Sequence, residues 1–144
     1  MPDRPSPEVE LLRAAFAAFN ARDIEAYIAL CDPSIELHPM LEGAVGNADY
    51  QGHDGMRQLH RDLEDVSDEF RIEPEAYFEL GEYTLTFFVF HGRGRQSGVQ
   101  VAMPGTAVTT WRDGLTVCIN TYIHRDDALR DLGVSEDQLE WIEP

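Results

Sequence analysis

The spacing of the apolar residues changes near the middle of the chain, and this change is the strongest constraint on the fold. Up to about residue 66 the apolar residues recur every three or four positions, which predicts helices. From residue 70 onward, alternating or continuous apolar runs predict strands. Helices followed by strands, without helical crossovers between the strands, indicate an α+β domain with a mainly antiparallel sheet.

The first half predicts three helices and one short strand. The first predicted helix begins at Ser6, which is its N-cap. The second runs from Asp23 to Leu30, and the third from Asp54 to about Val66. The strand is "IELHP", residues 35–39, and a glycine-containing loop follows it over residues 40–52. The apolar helix positions expected to face inward include Val9, Leu12, Phe16, Phe19 and Tyr27.

The second half predicts four long strands, over residues 70–80, 83–95, 98–111 and 115–125. The run "TFFVF" in the second of these shows no alternation, so both faces of that strand are expected to be buried. One face can pack on the helices. Because no further helix of adequate size is predicted, a second subunit is the simplest cover for the other face, which predicts a homodimer through the sheet.

Composition excludes several classes of function. At 144 residues the chain is long enough for a single domain, residues 1–144. A formal charge of −16 disfavours nucleic acid and anionic membranes as partners. All eleven basic residues are arginines, so chemistry that needs a lysine, such as Schiff-base catalysis, is excluded. The absence of a signal-like start or a long apolar run predicts a cytoplasmic protein.

Cysteines and histidines do not form a metal-binding pattern. Cys31 and Cys118 are expected to be free thiols. The five histidines are scattered, and the one helical ligand-like pair, His60 with Glu64, is too small a set of ligands for a site. We therefore predict no metal and no cofactor.

Several phrases, in this order and spacing, resemble a known family. They are "LLRAAFAAFNARDIEAYIAL", "DPSIELHP", "YQGHDGMRQLHRDL", "GRGRQSGVQV", "WRDGLTV" and "TYIHRDDALRDLGV". Together they resemble the SnoaL-like, polyketide cyclase-like branch of the nuclear transport factor 2-like superfamily, over a core of about residues 8–134 with a C-terminal tail at 135–144. The resemblance implies a cone-shaped α+β barrel, in which three N-terminal helices pack on a curved sheet.

The same resemblance implies a pocket between the helices and the concave face of the sheet, open at one end. Its ligand is expected to be a small hydrophobic molecule. The residues predicted to bind that ligand are Phe16, Phe19, Tyr27, Met103, Trp111 and Asn120.

His38 is the candidate catalytic base. In the steroid isomerases of the superfamily an aspartate before a proline abstracts a proton, and "ELHP" places His38 at that position. A histidine can serve, because the ordinary pKa of this residue type, about 6.5, is close to cellular pH. The isomerases also need a tyrosine and a protonated acid, and Ala15 occupies the position of that tyrosine here. Ketosteroid isomerase chemistry is therefore not expected.

The last strand offers substitute partners for His38. Asn120, Tyr122 and His124 are two residues apart and share one face, whereas Val117, Ile119, Thr121 and Ile123 share the other. If the polar set lines the pocket, Tyr122 and His124 can assist His38. If the apolar set does, the polar residues lie at the surface or at a dimer interface.

Two functions follow from these observations. One is a cofactor-free acid/base enzyme that isomerises, cyclises or dehydrates a small hydrophobic carbonyl compound, with His38 as the base. The other is a non-catalytic dimeric module that binds a small molecule or a partner protein through the same cavity.

Overall fold

The computed structural model of the protein describes residues 7–39 and 49–140. The helices in these ranges are α1 (Pro7–Asn20), α2 (Ile24–Ile28), α3 (Gly52–Val66) and α4 (Arg125–Leu132). The strands are β1 (Cys31–His38), β2 (Tyr50–Gln51), β3 (Ser67–Leu80), β4 (Tyr83–Gly94), β5 (Gln100–Arg112) and β6 (Leu115–Tyr122). A short 3-10 turn follows at Glu136–Gln138. No helix within the described ranges has the length and apolar character needed to cross a membrane.

The six strands form one open sheet in the order β2-β1-β6-β5-β4-β3. All neighbouring pairs are antiparallel except β1 and β6, which run parallel. The predicted α+β class with a mainly antiparallel sheet is therefore confirmed, although β2 and β3 remain two separate edges and the sheet does not close. The Asn20 side chain bonds the backbone N–H and C=O of Ile72 on the edge strand β3, both at 2.8 Å.

Strand β1 begins four residues before the predicted strand. The predicted helix to Leu30 ends early, because the Leu30 carbonyl accepts a hydrogen bond from the Thr116 N–H at 3.1 Å. Cys31 then pairs with Thr116, so the chain is already part of the sheet before the Asp32-Pro33 pair. Of the predicted loop at 40–52, residues 40–48 lie outside the described ranges, and Tyr50–Gln51 form β2.

The two faces of the sheet have different cover. Helices α1, α2 and α3 pack on the concave side, here called the inner face, and α4 packs on the opposite side, the outer face. On the outer face Ala128 and Leu129 of α4 contact a cluster that includes Phe78 and Phe87. The Arg125 guanidinium lies 3.7 Å from the centre of the Phe87 ring.

Helix α4 corrects the prediction that the chain has no further helix of adequate size to cover the sheet. Its signals are present in the sequence: Asp126 and Asp127 favour the first turn, and Gly133 ends the helix with a φ of 71°. These signals are hard to recognise because the strand pattern of β6 continues into "YIHR" without a turn residue. Because α4 covers part of the outer face, a second subunit is not needed to bury that part.

Candidate ligand cavity

A cavity of about 300 Å³ lies between the helices and the inner face of the sheet. The helices contribute Leu12, Ala15, Phe16, Phe19, Tyr27, Leu59, Leu63 and Val66, and Leu30 lines the cavity from the turn after α2. The strands contribute mainly Leu37, Ile72, Phe88, Phe90, Met103, Ala107 and Ile119. None of the described residues that line it is an aspartate, glutamate, histidine, lysine or arginine. The cavity is therefore uncharged as well as apolar.

A few neutral polar groups interrupt the apolar wall, from Tyr27, Cys31, Ser67, Thr109, Thr116 and Thr121. Burial raises the pKa of the Cys31 thiol to about 11, and burial raises the pKa of the Tyr27 phenol as well. Both groups consequently stay protonated near neutral pH. The Cys31 thiol donates to the Tyr27 carbonyl at 3.6 Å, and the Thr121 hydroxyl donates to the His38 carbonyl at 2.7 Å.

A close contact between β4 and β5 shapes the sheet side of the cavity. Phe88 pairs with Gly105, and a Cβ atom added to Gly105 lies 2.4 Å from the tip of the Phe88 ring. Only a residue without a side chain fits under that ring. Gly105 thus lets Phe88 lie against the sheet instead of filling the hollow.

His60 lies behind the wall of the cavity. Its side chain is 5% exposed, and its ring centre is 5.2 Å from that of Phe19 and 5.8 Å from that of Phe70. The Nε2 atom has no hydrogen-bond partner among the described residues. Burial lowers the pKa of His60, and the nearby Arg22 acts in the same direction, whereas Glu64 opposes them. His60 is thus a neutral packing residue in this setting.

Four of the residues predicted to bind the ligand line the cavity: Phe16, Phe19, Tyr27 and Met103. Their role in binding stays a prediction. Trp111 does not line it, because its Nε1 donates to the Thr84 hydroxyl at 3.0 Å and its ring packs with Val9, Leu12 and Tyr77. Trp111 belongs to the core beside the cavity, which corrects its expected place.

His38 lies outside the lining, whereas its neighbours Leu37 and Pro39 are part of it. Its imidazole Nδ1 is 2.6 Å from an oxygen of Asp49, and its side chain is 38% exposed. The strand alternation turns His38 to the outer face as it turns Leu37 inward. Catalysis by His38 stays a prediction, and the placement gives it no direct access to the hollow.

On the last strand the apolar set of residues lines the cavity and the polar set does not, which is the second of the two predicted alternatives. Ile119 and Thr121 line the cavity, so Asn120 and Tyr122 lie on the outer face. The Tyr122 hydroxyl donates to Asp131 at 3.0 Å, and burial, followed by this acceptor, raises the pKa of Tyr122 to about 12. His124 is exposed at the start of α4. These residues therefore do not face a ligand in the cavity.

Sequence reasoning did not single out several lining residues. They include Leu59 and Leu63 of α3 and Ile72 of β3. A sequence signal exists for Leu59 and Leu63, because the apolar stripe of an N-terminal helix in this fold must face the sheet. No group of three metal-ligating side chains occurs within the described ranges.

Comparison with known families decides the affiliation of the chain. The model of the SnoaL-like domain matches residues 12–119. The chain belongs to the SnoaL-like family. Its fold is that of the nuclear transport factor 2-like and ketosteroid isomerase-like proteins, as the solved structures also show. A search of curated proteins found no match for this SnoaL-like chain.

Three solved structures illustrate the similarity of this SnoaL-like domain to others. TerC, co-crystallised with polyporic acid, is 25% identical, with a TM-score of 0.74 over 88% of this chain and 98% of TerC. Rv0760c of Mycobacterium tuberculosis, in complex with estradiol-17β-hemisuccinate, is 14% identical, with a TM-score of 0.72 over 85% of this chain and 97% of its own. A putative SnoaL-like polyketide cyclase of Jannaschia sp. CCS1 is 16% identical, with a TM-score of 0.69 over 85% and 90%.

Proposed function

We propose that the protein binds a small, electrically neutral, hydrophobic molecule in the cavity between its helices and its sheet. The observation that carries this proposal is the composition of the wall, which contains no charged side chain among the described lining residues. A charged ligand group placed there loses its hydration and finds no counter-ion, at a cost of several kcal/mol. A neutral apolar ligand gains roughly 25 cal/mol for each Å² that it buries.

The size of the cavity and two structures of the same fold support a small molecule as the ligand. A volume of about 300 Å³ is at the lower end of the range of ligand pockets. TerC and Rv0760c, which share the fold, were both crystallised with small molecules. A ligand of two or three fused rings fits these dimensions.

The test is a comparison of a neutral and an anionic probe of the same shape, 2-acetylnaphthalene and 2-naphthoate, by equilibrium dialysis. We expect the neutral ketone to bind at least tenfold more tightly. The variant Ala107→Leu places extra atoms on the inner face and should weaken binding of the ketone about tenfold. The matched control Ala14→Leu adds the same atoms to an exposed position of α1 and should leave binding unchanged. Equal binding of the two probes contradicts the proposal.

A second candidate is acid/base catalysis by His38 on a small hydrophobic carbonyl compound, as an isomerase, cyclase or dehydratase. It is favoured by one observation, the 2.6 Å contact between His38 Nδ1 and Asp49. A carboxylate at Nδ1 fixes the proton there and makes Nε2 the proton acceptor. The His38→Ala variant should then abolish turnover of any substrate while ligand binding persists, and Asp49→Asn should reduce turnover. An unchanged rate in His38→Ala removes this candidate.

We also propose that the chain forms a homodimer through the part of the outer face that α4 leaves open. Ala102 and Pro104 of β5 are exposed there, and Val89 of β4 is half-buried beside them. Light scattering after size-exclusion chromatography should give twice the chain mass of 16.3 kDa. The Ala102→Glu variant should shift it toward one chain mass, and a wild-type protein that elutes as a monomer contradicts the proposal.

A further inference from the structure

The hydroxyl of Tyr27 lies beside the cavity and has no hydrogen-bond partner among the described residues. No described residue donates to it or accepts from it, although buried tyrosine hydroxyls normally find a partner. Tyr77 provides a contrast, since its hydroxyl also lacks a partner but is sealed in the packed core and does not line the cavity. The Tyr27 oxygen is not among these sealed atoms, and Tyr27 is one of the residues that line the cavity.

The position of Tyr27 is fixed by its surroundings. Its ring centre lies 6.1 Å from that of Phe19, and it packs with Leu59 and Cys31. The helix that carries it is capped by Asp23, whose carboxylate accepts from the Ala26 N–H at 3.1 Å. A side chain held by packing on both sides presents its hydroxyl in one direction with little loss of entropy on binding.

Two of the other polar groups in the lining are less able to serve a ligand. The Cys31 thiol is already directed to the Tyr27 carbonyl and is a weak donor in any case. The Thr121 hydroxyl donates to the His38 carbonyl. Among Tyr27, Cys31 and Thr121, Tyr27 alone combines a strong donor with no acceptor among the described residues.

We infer that the Tyr27 hydroxyl donates a hydrogen bond to an uncharged oxygen of the ligand and so selects hydrophobic molecules that carry a carbonyl or ether oxygen. This inference rests on the proposed function and narrows it to a chemical class. A carboxylate is a stronger acceptor, but it brings a full charge into a wall without a cation. A pure hydrocarbon fits the wall but leaves the Tyr27 hydroxyl without a partner.

The test uses two neutral probes of matched shape, 2-acetylnaphthalene, which has a carbonyl oxygen, and 2-isopropylnaphthalene, which has none. Equilibrium dialysis gives the ratio of their affinities for the wild type and for Tyr27→Phe. We expect Tyr27→Phe to weaken binding of the ketone about five- to tenfold, the effect of one net hydrogen bond, and to leave the hydrocarbon unchanged. The variant should fold as the wild type does, since it removes a hydroxyl that bonds to none of the described residues.

Tyr77→Phe is the matched control, because it removes an unpartnered hydroxyl that lies outside the lining. The ratio of the two affinities should stay at its wild-type value in this variant. If both probes bind the wild type and Tyr27→Phe keeps that ratio, the role given to the Tyr27 hydroxyl is refuted, whereas the proposal of a ligand cavity is not. If neither probe binds the wild type, the proposed function itself fails and the inference fails with it.

Discussion

The two faces of β1 and β6 differ in chemistry although their residues alternate along the same strands. The inner face presents Leu37 and Ile119 to the cavity, whereas the outer face carries His38 and Asn120, which are paired in register. The residue types that suggest chemistry are thus on the side away from the hollow. A residue that suggests catalysis can therefore be next in sequence to a residue of the ligand cavity and still lie on the opposite face of the sheet.

The largest effect should come from placing a charge on the inner face. Ile119→Asp puts a carboxylate into the uncharged wall, and we expect it to lower the free energy of unfolding by about 3 kcal/mol or to prevent folding. Asn120→Asp makes the same charge on the outer face and should change stability by less than about 0.5 kcal/mol. Urea unfolding curves measure both, and similar losses for the two variants contradict the assignment of the faces.

A smaller effect is expected where the inner face is most tightly packed. Gly105→Ala forces the Phe88 ring away from the sheet, and we expect a loss of about 1–3 kcal/mol in the free energy of unfolding. Phe88→Leu removes the ring that clashes, so the double variant should be more stable than the sum of the single losses predicts. Strict additivity, measured by the same unfolding curves, shows that the two residues do not touch.

The sequence predicted the inward residues of the helices well and the orientation of the last strand poorly. Helical spacing identified Phe16, Phe19 and Tyr27 as inward residues, because a helix has one apolar stripe and it must face the sheet. Alternation separated Ile119 from Asn120 but does not say which of the two faces the cavity, because each face of this sheet is covered by a helix at some point. That choice depends on where α4 packs, which no local pattern contains.

The buried histidine of α3 should make the stability of the protein depend on pH. His60 is buried behind the cavity wall, and its pKa is lowered by burial, so the unfolded state binds a proton more readily than the folded state. Stability should therefore fall as the pH drops below about 6.5, the ordinary value for this residue type. His60→Leu should remove this dependence and, by replacing an unpartnered buried nitrogen, stabilise the fold at pH 8 by about 1 kcal/mol.

The control for this prediction is His91 on the outer face, which is paired with Glu73 at 2.8 Å. His91→Leu should leave the fall in stability below pH 6.5 in place. Thermal midpoints between pH 5 and pH 8 check both variants. A pH dependence that survives in His60→Leu contradicts the role given to this histidine.

The smallest expected effect concerns the two cysteines, which lie on opposite faces of the sheet. Cys31 lines the cavity, whereas Cys118 shares the outer face with Asn120. Burial raises the pKa of both thiols, that of Cys31 to about 11. Saturating 2-acetylnaphthalene should slow alkylation of Cys31 severalfold and leave the rate at Cys118 unchanged. Mass spectrometry of peptides follows both rates, and equal protection of the two thiols places the probe elsewhere.

The most direct test of the neutral ligand cavity is an NMR titration of protein labelled with ¹³C at the methionine methyl groups. Met103 lines the cavity, while Met56 is fully buried outside the lining. Addition of 2-acetylnaphthalene should move the Met103 methyl signal saturably and leave that of Met56 in place. A Met103 signal that stays fixed at saturating probe contradicts the account.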